Sequence, residues 1–128
     1  MQRNIIEQLR RWKDKKNRKP LVLAGARQVG KTYILKEFGK TEFSNVAYIN
    51  CDDNELAKDL FVKDYDIQRI ILAIGAITQQ TITAGKTLII LDEIQEVKRG
   101  MSALKYFCEN APEYHVAVAG SLLGIAMH

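Results

Sequence analysis

The stretch GARQVGKT, residues 25 to 32, has the spacing G-x-x-x-x-G-K-T, a pattern whose chemistry is the cradling of phosphate. Gly25 and Gly30 allow backbone angles that other residues avoid and a close approach to a ligand. The amides around Gln28 to Thr32 can then turn toward phosphate oxygens, aided by the positive end of a helix starting there. Gly25, Ala26, Arg27, Gln28, Val29, Gly30, Lys31 and Thr32 together make a candidate nucleotide-binding loop. Lys31 would bridge the β- and γ-phosphates of a nucleotide, and the Thr32 hydroxyl would coordinate Mg²⁺. Arg27 could add charge near the phosphates, although a solvent-facing arginine is the plainer reading. The bland alternative is a glycine-rich turn with an exposed lysine.

A second polar cluster is Asp92–Glu93, directly after the apolar run TLIIL at 87 to 91. Mg²⁺ takes oxygen ligands and keeps several waters, so Asp92 would hold it directly or through water, beside Thr32. Glu93 stands where it could polarise an attacking water. An acidic pair after a strand is by itself more often a helix cap or turn; its pairing with the glycine loop is what favours catalysis. Ser121, after the run HVAVAG, would reach the γ-phosphate or the lytic water, with a turn or helix cap as the alternative. Asp52 and Asp53 read as caps of the next helix and as reserve candidates for the water network. His115 and His128 have no ligand-spaced neighbours, and neither reads as catalytic.

Positioning these clusters requires strands that end together. LVLA at 21 to 24 does not alternate with polar residues and reads as a short, fully buried strand, with Lys19 held extended by Pro20. KTYILKEFG turns helical, with Ile34, Leu35 and Phe38 on one side and Gly39 as a C-terminal stop. NVAYIN at 45 to 50 is a second strand, followed by a short helix capped by Asp or Asn in CDDNELAKDLF. DIQRIILAIGAITQQ puts Ile67, Ile70, Ile71, Ile74 and Ile77 on one helix face, and ITAGK turns the chain into TLIIL. GMSALKYFCENAP supplies a further helix with Leu104, Phe107 and Cys108 inward, and HVAVAGS is a fourth strand. Strands alternating with helices imply crossover connections and a parallel sheet covered on both faces. Ligands of such α/β sheets sit at the carboxyl ends of the strands, where all three clusters fall.

The bulk properties narrow the class. With 128 residues, 47% hydrophobic and 27% charged, the chain is expected to fold as one domain with a real core. No apolar stretch approaches the roughly 20 residues of a membrane helix, and no signal-peptide core is present, so a cytoplasmic address and no membrane partner are expected. Cys51 and Cys108 lack metal-ligand spacing and fit buried thiols in a reducing compartment. The net charge of +4 is uneven: residues 1 to 20 carry +6 and the remainder −2. Ile5, Ile6, Leu9 and Trp12 recur at helical spacing, so residues 2 to 14 form a basic amphipathic helix that lays its apolar face on the domain. Such a leader could touch nucleic acid, but no interleaved aromatics beyond Trp12 support that contact.

At these residues the chain resembles a bacterial or archaeal AAA-type P-loop ATPase. PLVLAGARQVGKT, NVAYINCDDNE, TLIILDEIQE and LKYFCENAPEYHVAVAGSLLG are together similar to the N-terminal ATPase module of a family whose longer members carry a poorly characterised C-terminal domain. The resemblance spans nearly the whole chain and implies a three-layer α/β fold with a parallel sheet in the order 5-1-4-3-2. Lys31 and Thr32 then match the Walker A positions, Asp92 and Glu93 the Walker B positions, and Ser121 the first sensor. Such ATPases continue to an arginine finger, a fifth strand and a helical lid, so residues 1–128 look like a fragment, with a leader at 2–14 and a nucleotide-binding core at 20–128. The strand at 21 to 24 would then be an edge open to self-association. Lack of a finger can lower turnover by about 10³ to 10⁵.

Three classes remain. An Mg²⁺-dependent ATPase, coupling hydrolysis to movement of a partner domain, accounts for both Asp92 and Glu93. A small-molecule kinase shares the loop but needs no glutamate after the strand aspartate. A nucleotide-responsive binding module with little turnover needs the loop alone. GTPases are disfavoured because neither N-K-x-D nor D-x-x-G is present, and the preference for adenine rests on the resemblance.

Overall fold

The computed structural model describes residues 2–15, 18–24 and 29–120. Helix α1 (Gln2–Asp14) leads into strand β1 (Leu21–Ala24), helix α2 (Val29–Glu42) and strand β2 (Asn45–Asn50). The short helix α3 (Glu55–Lys58) and helix α4 (Ile67–Thr78) precede strand β3 (Thr87–Asp92). A 3₁₀ turn (Ile94–Glu96), helix α5 (Gly100–Asn110) and strand β4 (His115–Gly120) complete the described chain. The four strands pair in parallel in the order β1-β4-β3-β2. This is the 1-4-3-2 portion of the implied order, and β4 separates β3 from β1 as the resemblance required.

The strands are short and apolar because both faces of the sheet are covered. On one face Ala47, Ile49, Ile89, Leu91, Val116 and Val118 pack under α4 and α5. On the other, Leu88, Ile90, Ala117 and Ala119 meet Leu35 and Phe38 of α2 and Leu9 and Trp12 of α1. Three layers result. Helix α4 buries Ile67, Ile70, Ile71 and Ile74, with Ile77 packed at the margin. Its N-cap is Asp66, whose side chain accepts from the Gln68 amide.

Several expectations change. Gly39 does not stop α2, which runs on to Glu42. Its lack of a side chain serves packing instead: a Cβ there would collide with Val46 Cγ2 and sit 3.2 Å from Leu88 Cδ2. The helix can lie this close to β2 only with glycine at 39. Strand β1 is partly rather than fully buried at Leu21, Val22 and Leu23, because among the described residues it pairs on one side only, with β4. Beside it, a groove of about 400 Å³ is lined by Val22, Leu104, Cys108 and their neighbours. Asp52 and Asp53 are exposed in a turn and cap nothing; Asn54 is the N-cap of α3, accepting from the Ala57 amide. Cys51 is buried as expected, whereas Cys108 is half-buried.

The basic leader is tied to the domain by its own cations. Arg18 donates to the carbonyls of Lys13, at 3.1 Å, and Pro112, at 2.6 Å, and its guanidinium lies over the Trp12 ring. Trp12 Nε1 donates to the Lys19 carbonyl at 2.6 Å. Arg10 pairs with Glu42 of α2, and the Lys13 ammonium sits 5.0 Å from the Phe43 ring centre. Part of the leader's positive charge therefore serves docking to the domain.

His115 closes this packing from the start of β4. Its ring meets Trp12 and Phe43 edge to face, with centres 5.6 and 5.0 Å apart. Nε2 donates to the Lys13 carbonyl at 3.1 Å, and Nδ1 is buried without a partner among the described residues. Burial pushes the imidazole below its ordinary value, helped by the charges of Arg18 and Lys13 and opposed by the Lys13 carbonyl and Asp14. The folded chain thus holds His115 neutral.

Two predictions follow from the packing. Gly39→Ala should lower stability in urea by about 1–2 kcal/mol, because overpacking against a β-branched neighbour outweighs the helix propensity that alanine adds. Adding Val46→Ala should recover part of that loss. For His115, the unfolded imidazole takes up a proton as pH falls through 6.5 while the folded one resists it, so stability should decline as pH drops below that value. Urea titrations between pH 7.5 and 5 would show the decline, and His115→Gln should flatten it.

Candidate functional site

The alternation of side chains along β3 decides what faces α2. Leu88 and Ile90 belong to the α2 side, Ile89 and Leu91 to the opposite one. Two residues beyond Ile90, Asp92 keeps the same side. Its carboxylate arrives opposite Thr32, in the first turn of α2, and Thr32 Oγ1 donates to Asp92 Oδ2 at 2.7 Å. Sixty positions of sequence separate the two. The contact forms because α2 begins at the carboxyl edge of the sheet, where β3 ends.

A third side chain joins them. Tyr48 shares its side of β2 with Val46, again facing α2, and its hydroxyl donates to the same Asp92 Oδ2 at 2.7 Å. Burial first, and then the bond to Asp92 with its charge, hold this phenol protonated well above the usual tyrosine value. The Lys36 ammonium, one turn along α2 from Thr32, lies 3.9 Å from the Tyr48 ring centre, a cation–π contact at close range. The other carboxylate oxygen, Oδ1, accepts from the Glu93 amide at 3.0 Å. Asp92 also anchors the edge through its backbone, whose carbonyl accepts from the Cys51 amide at 2.9 Å. Burial, with the nearby charges of Asp92, Asp53 and Glu93, pushes the Cys51 thiol up to about 12.

Glu93 leaves the strand with φ 54° and ψ 49°, the left-handed region that non-glycine residues adopt at a cost of about 1–2 kcal/mol. The turn redirects the chain into the 3₁₀ segment. Glu93 is 8% exposed, and its Oε1 accepts from Gln95 Nε2 at 3.2 Å. Gln95 Oε1 is buried without a partner among the described residues. The segment ends at a second left-handed residue, Arg99, with φ 63°, which donates to the Val62 carbonyl and to the Tyr65 hydroxyl.

Of the residues singled out by sequence, Thr32, Asp92 and Glu93 come together at this edge. Lys31 lies in the first turn of α2, but its side chain and those of Val29 and Gly30 are outside the described part. Gly25, Ala26, Arg27, Gln28 and Ser121 lie outside the described residues altogether. The strand that would carry Ser121 ends at Gly120, beside β1. Asp52 and Asp53 follow β2 at the same edge, and both side chains are exposed to solvent.

Sequence reading missed Tyr48 and Gln95. The available signal for Tyr48 was a hydroxyl-bearing ring inside NVAYIN, two residues before the strand end, but its meeting with Asp92 needs the β2–β3 register. Gln95 sits within the quoted DEIQE and carried no assigned role.

The oxygen donors at this edge suit a hard divalent cation. A hydroxyl and a carboxylate already lie within 3 Å of each other, and Mg²⁺ is commonly bound through one or two carboxylates with waters and substrate phosphates completing its shell. Among the described residues no group of three or more His, Cys, Asp or Glu side chains gathers to hold a metal alone. Likewise, no described helix is long and apolar enough to cross a membrane.

Comparison with known proteins agrees with this architecture. The structure of the Aeropyrum pernix ORC1 protein in complex with DNA is similar, with a TM-score of 0.55 and 17% identity over 98% of this chain and 39% of that one. That likeness is one of fold, the three-layer arrangement of P-loop nucleotide-binding proteins, and this chain spans well under half of that protein. No curated protein matches the sequence. The family model described as an AAA domain matches residues 17–128, and the chain therefore belongs to the AAA domain family, with the P-loop ATPase-type nucleotide binding that such membership brings.

Proposed function

We propose that the chain binds ATP with Mg²⁺ at the carboxyl edge of its sheet and hydrolyses it, serving as the N-terminal motor or switch domain of a larger protein. The observation that carries this reading is the 2.7 Å contact between Thr32 Oγ1 and Asp92 Oδ2, which joins the two motifs into one oxygen-donor pair. In this reading the amides of residues 25–32 and the Lys31 ammonium bind the phosphates, while Thr32 and Asp92 hold the cation. When bound, the cation neutralises charge building on the β- and γ-phosphate oxygens. Glu93 accepts a proton from the attacking water, and Ser121 senses the γ-phosphate.

Glu93 is suited to this task by its place next to the metal-facing carboxylate and by its burial, which limits competing water. Its hydrogen bond with Gln95 holds Oε1 toward the 3₁₀ segment. This same bond favours a second reading, a nucleotide-responsive module with little turnover, since a carboxylate engaged by an amide must turn before it can act as a base. Coupling to a C-terminal domain, and any self-association through β1, belong to the proposal in the same way. Nucleic-acid contact has no support beyond the leader's charge, part of which, at Arg10, Lys13 and Arg18, is engaged with the domain itself.

Two substitutions test the reading. Lys31→Ala should abolish the rise in melting temperature that Mg·ATP gives the unmodified chain; an unmodified chain that shows no rise would sink nucleotide binding by these residues alone. Glu93→Gln should keep ATP affinity while slowing phosphate release by about 10² to 10⁴, the usual contribution of a positioned base. Phosphate released without any added acceptor separates hydrolysis from kinase chemistry, and equal release by Glu93→Gln would refute the role given to Glu93. Binding without release in the unmodified chain would favour the low-turnover reading.

A further inference from the structure

We infer that Tyr48 is a positioning residue for the Asp92 carboxylate, and that the strength of Mg²⁺-dependent nucleotide binding depends on its hydroxyl; this rests on the cation role proposed for Thr32 and Asp92. The torsion that turns an aspartate carboxylate is soft. In this chain the carboxylate plane is set by three donors: the Glu93 amide on Oδ1, and the Thr32 and Tyr48 hydroxyls on Oδ2. A Thr32 hydroxyl that gives a lone pair to the cation keeps its O–H for Asp92, so Thr32 and Tyr48 act together on Oδ2, the oxygen that faces α2. Of the two, only Tyr48 lies outside the proposed ligand set, so its effect on Mg²⁺ runs through the carboxylate alone.

The surroundings of Tyr48 fit this task better than a packing role alone. Its ring is only half-buried, yet its hydroxyl reaches the carboxylate at 2.7 Å, within the range of strong charge-assisted bonds. The Lys36 ammonium over the ring face draws electron density from the phenol and strengthens O–H as a donor. Thr32 and Lys36 lie four residues apart on α2, so one helix supplies both the proposed ligand and the cation that supports its partner's orienter. Tyr48 thereby ties β2, α2 and the end of β3 around a single carboxylate oxygen.

Hydrogen-bonding partners of metal ligands typically govern about 10- to 100-fold in metal affinity. The test measures ATP affinity by calorimetry with excess Mg²⁺ and again in EDTA, with melting curves reporting folding separately. Tyr48→Phe keeps the ring and removes only the hydroxyl. It should weaken binding at least about tenfold in Mg²⁺, change binding in EDTA less than about twofold, and raise the Mg²⁺ concentration needed for half-maximal ATP binding. Lys36→Met should give a smaller loss, about two- to fivefold, of the same Mg²⁺-dependent kind; it carries the test alone if Tyr48→Phe does not fold. Unchanged or tighter binding in Mg²⁺ overturns the inference. Equal losses in Mg²⁺ and EDTA also overturn it and reduce Tyr48 to packing. An unmodified chain that binds no ATP in Mg²⁺ refutes the nucleotide reading itself, a failure visible before any substitution is made.

Discussion

Strand β3 is covered on both faces and paired along both edges, so each of its side chains has one place to go, and the two-residue alternation decides which layer it enters. Leu88 and Ile90 enter the layer under α2, Ile89 and Leu91 the layer under α4 and α5. Asp92 inherits the α2 side from that alternation. A slip of one residue would turn its carboxylate to the α4 and α5 side, away from Thr32 and Tyr48. Everything at the carboxyl edge depends on that register.

The register is held from several directions. Asp92 stands opposite Asn50 of β2 and Ala119 of β4, and α2 lies close to the sheet because Gly39 presents no side chain to Val46. Close approach of α2 lets the Thr32 hydroxyl reach the carboxylate, and the same approach sets Lys36 on the Tyr48 ring. The edge concentrates negative charge, whose effect reaches the thiol of Cys51 and the phenol of Tyr48, both held protonated. Past Asp92 the left-handed turn at Glu93 breaks the strand direction, bringing a buried carboxylate beside an exposed edge.

The opposite end of the sheet has a different logic. There Trp12, Phe43 and His115 form an aromatic contact closed by backbone carbonyls of the leader. Arg18 donates to the leader carbonyls of Lys13 and Lys15 and to that of Pro112, joining the leader to the segment before β4. Basic residues that look like a ligand-binding tract in sequence are here partly structural, since a guanidinium is well matched to several carbonyl acceptors at once. The leader thus closes the amino end of β4, and the carboxyl ends carry the polar chemistry.

Local sequence specifies the series of elements and the chemical character of the loops. Short apolar runs, helical spacing of isoleucines and the spacing of glycine, lysine and threonine are local signals, and a strand–loop–helix unit is read from neighbours in the chain. The bounds of β1 and β2 were legible for that reason. Gly39 was misread because a glycine near a helix end signals a stop locally, while its actual neighbour, Val46, comes from another layer. The partial burial of β1 and the replacement of Asp52 and Asp53 by Asn54 as cap likewise depend on pairing and on turn geometry. Tyr48 shows the limit most clearly. Its type and position were visible in NVAYIN, but its partnership with Asp92 and Lys36 arises from strand register, pleat and helix approach combined, and such non-local distances are decided only when the tertiary structure closes.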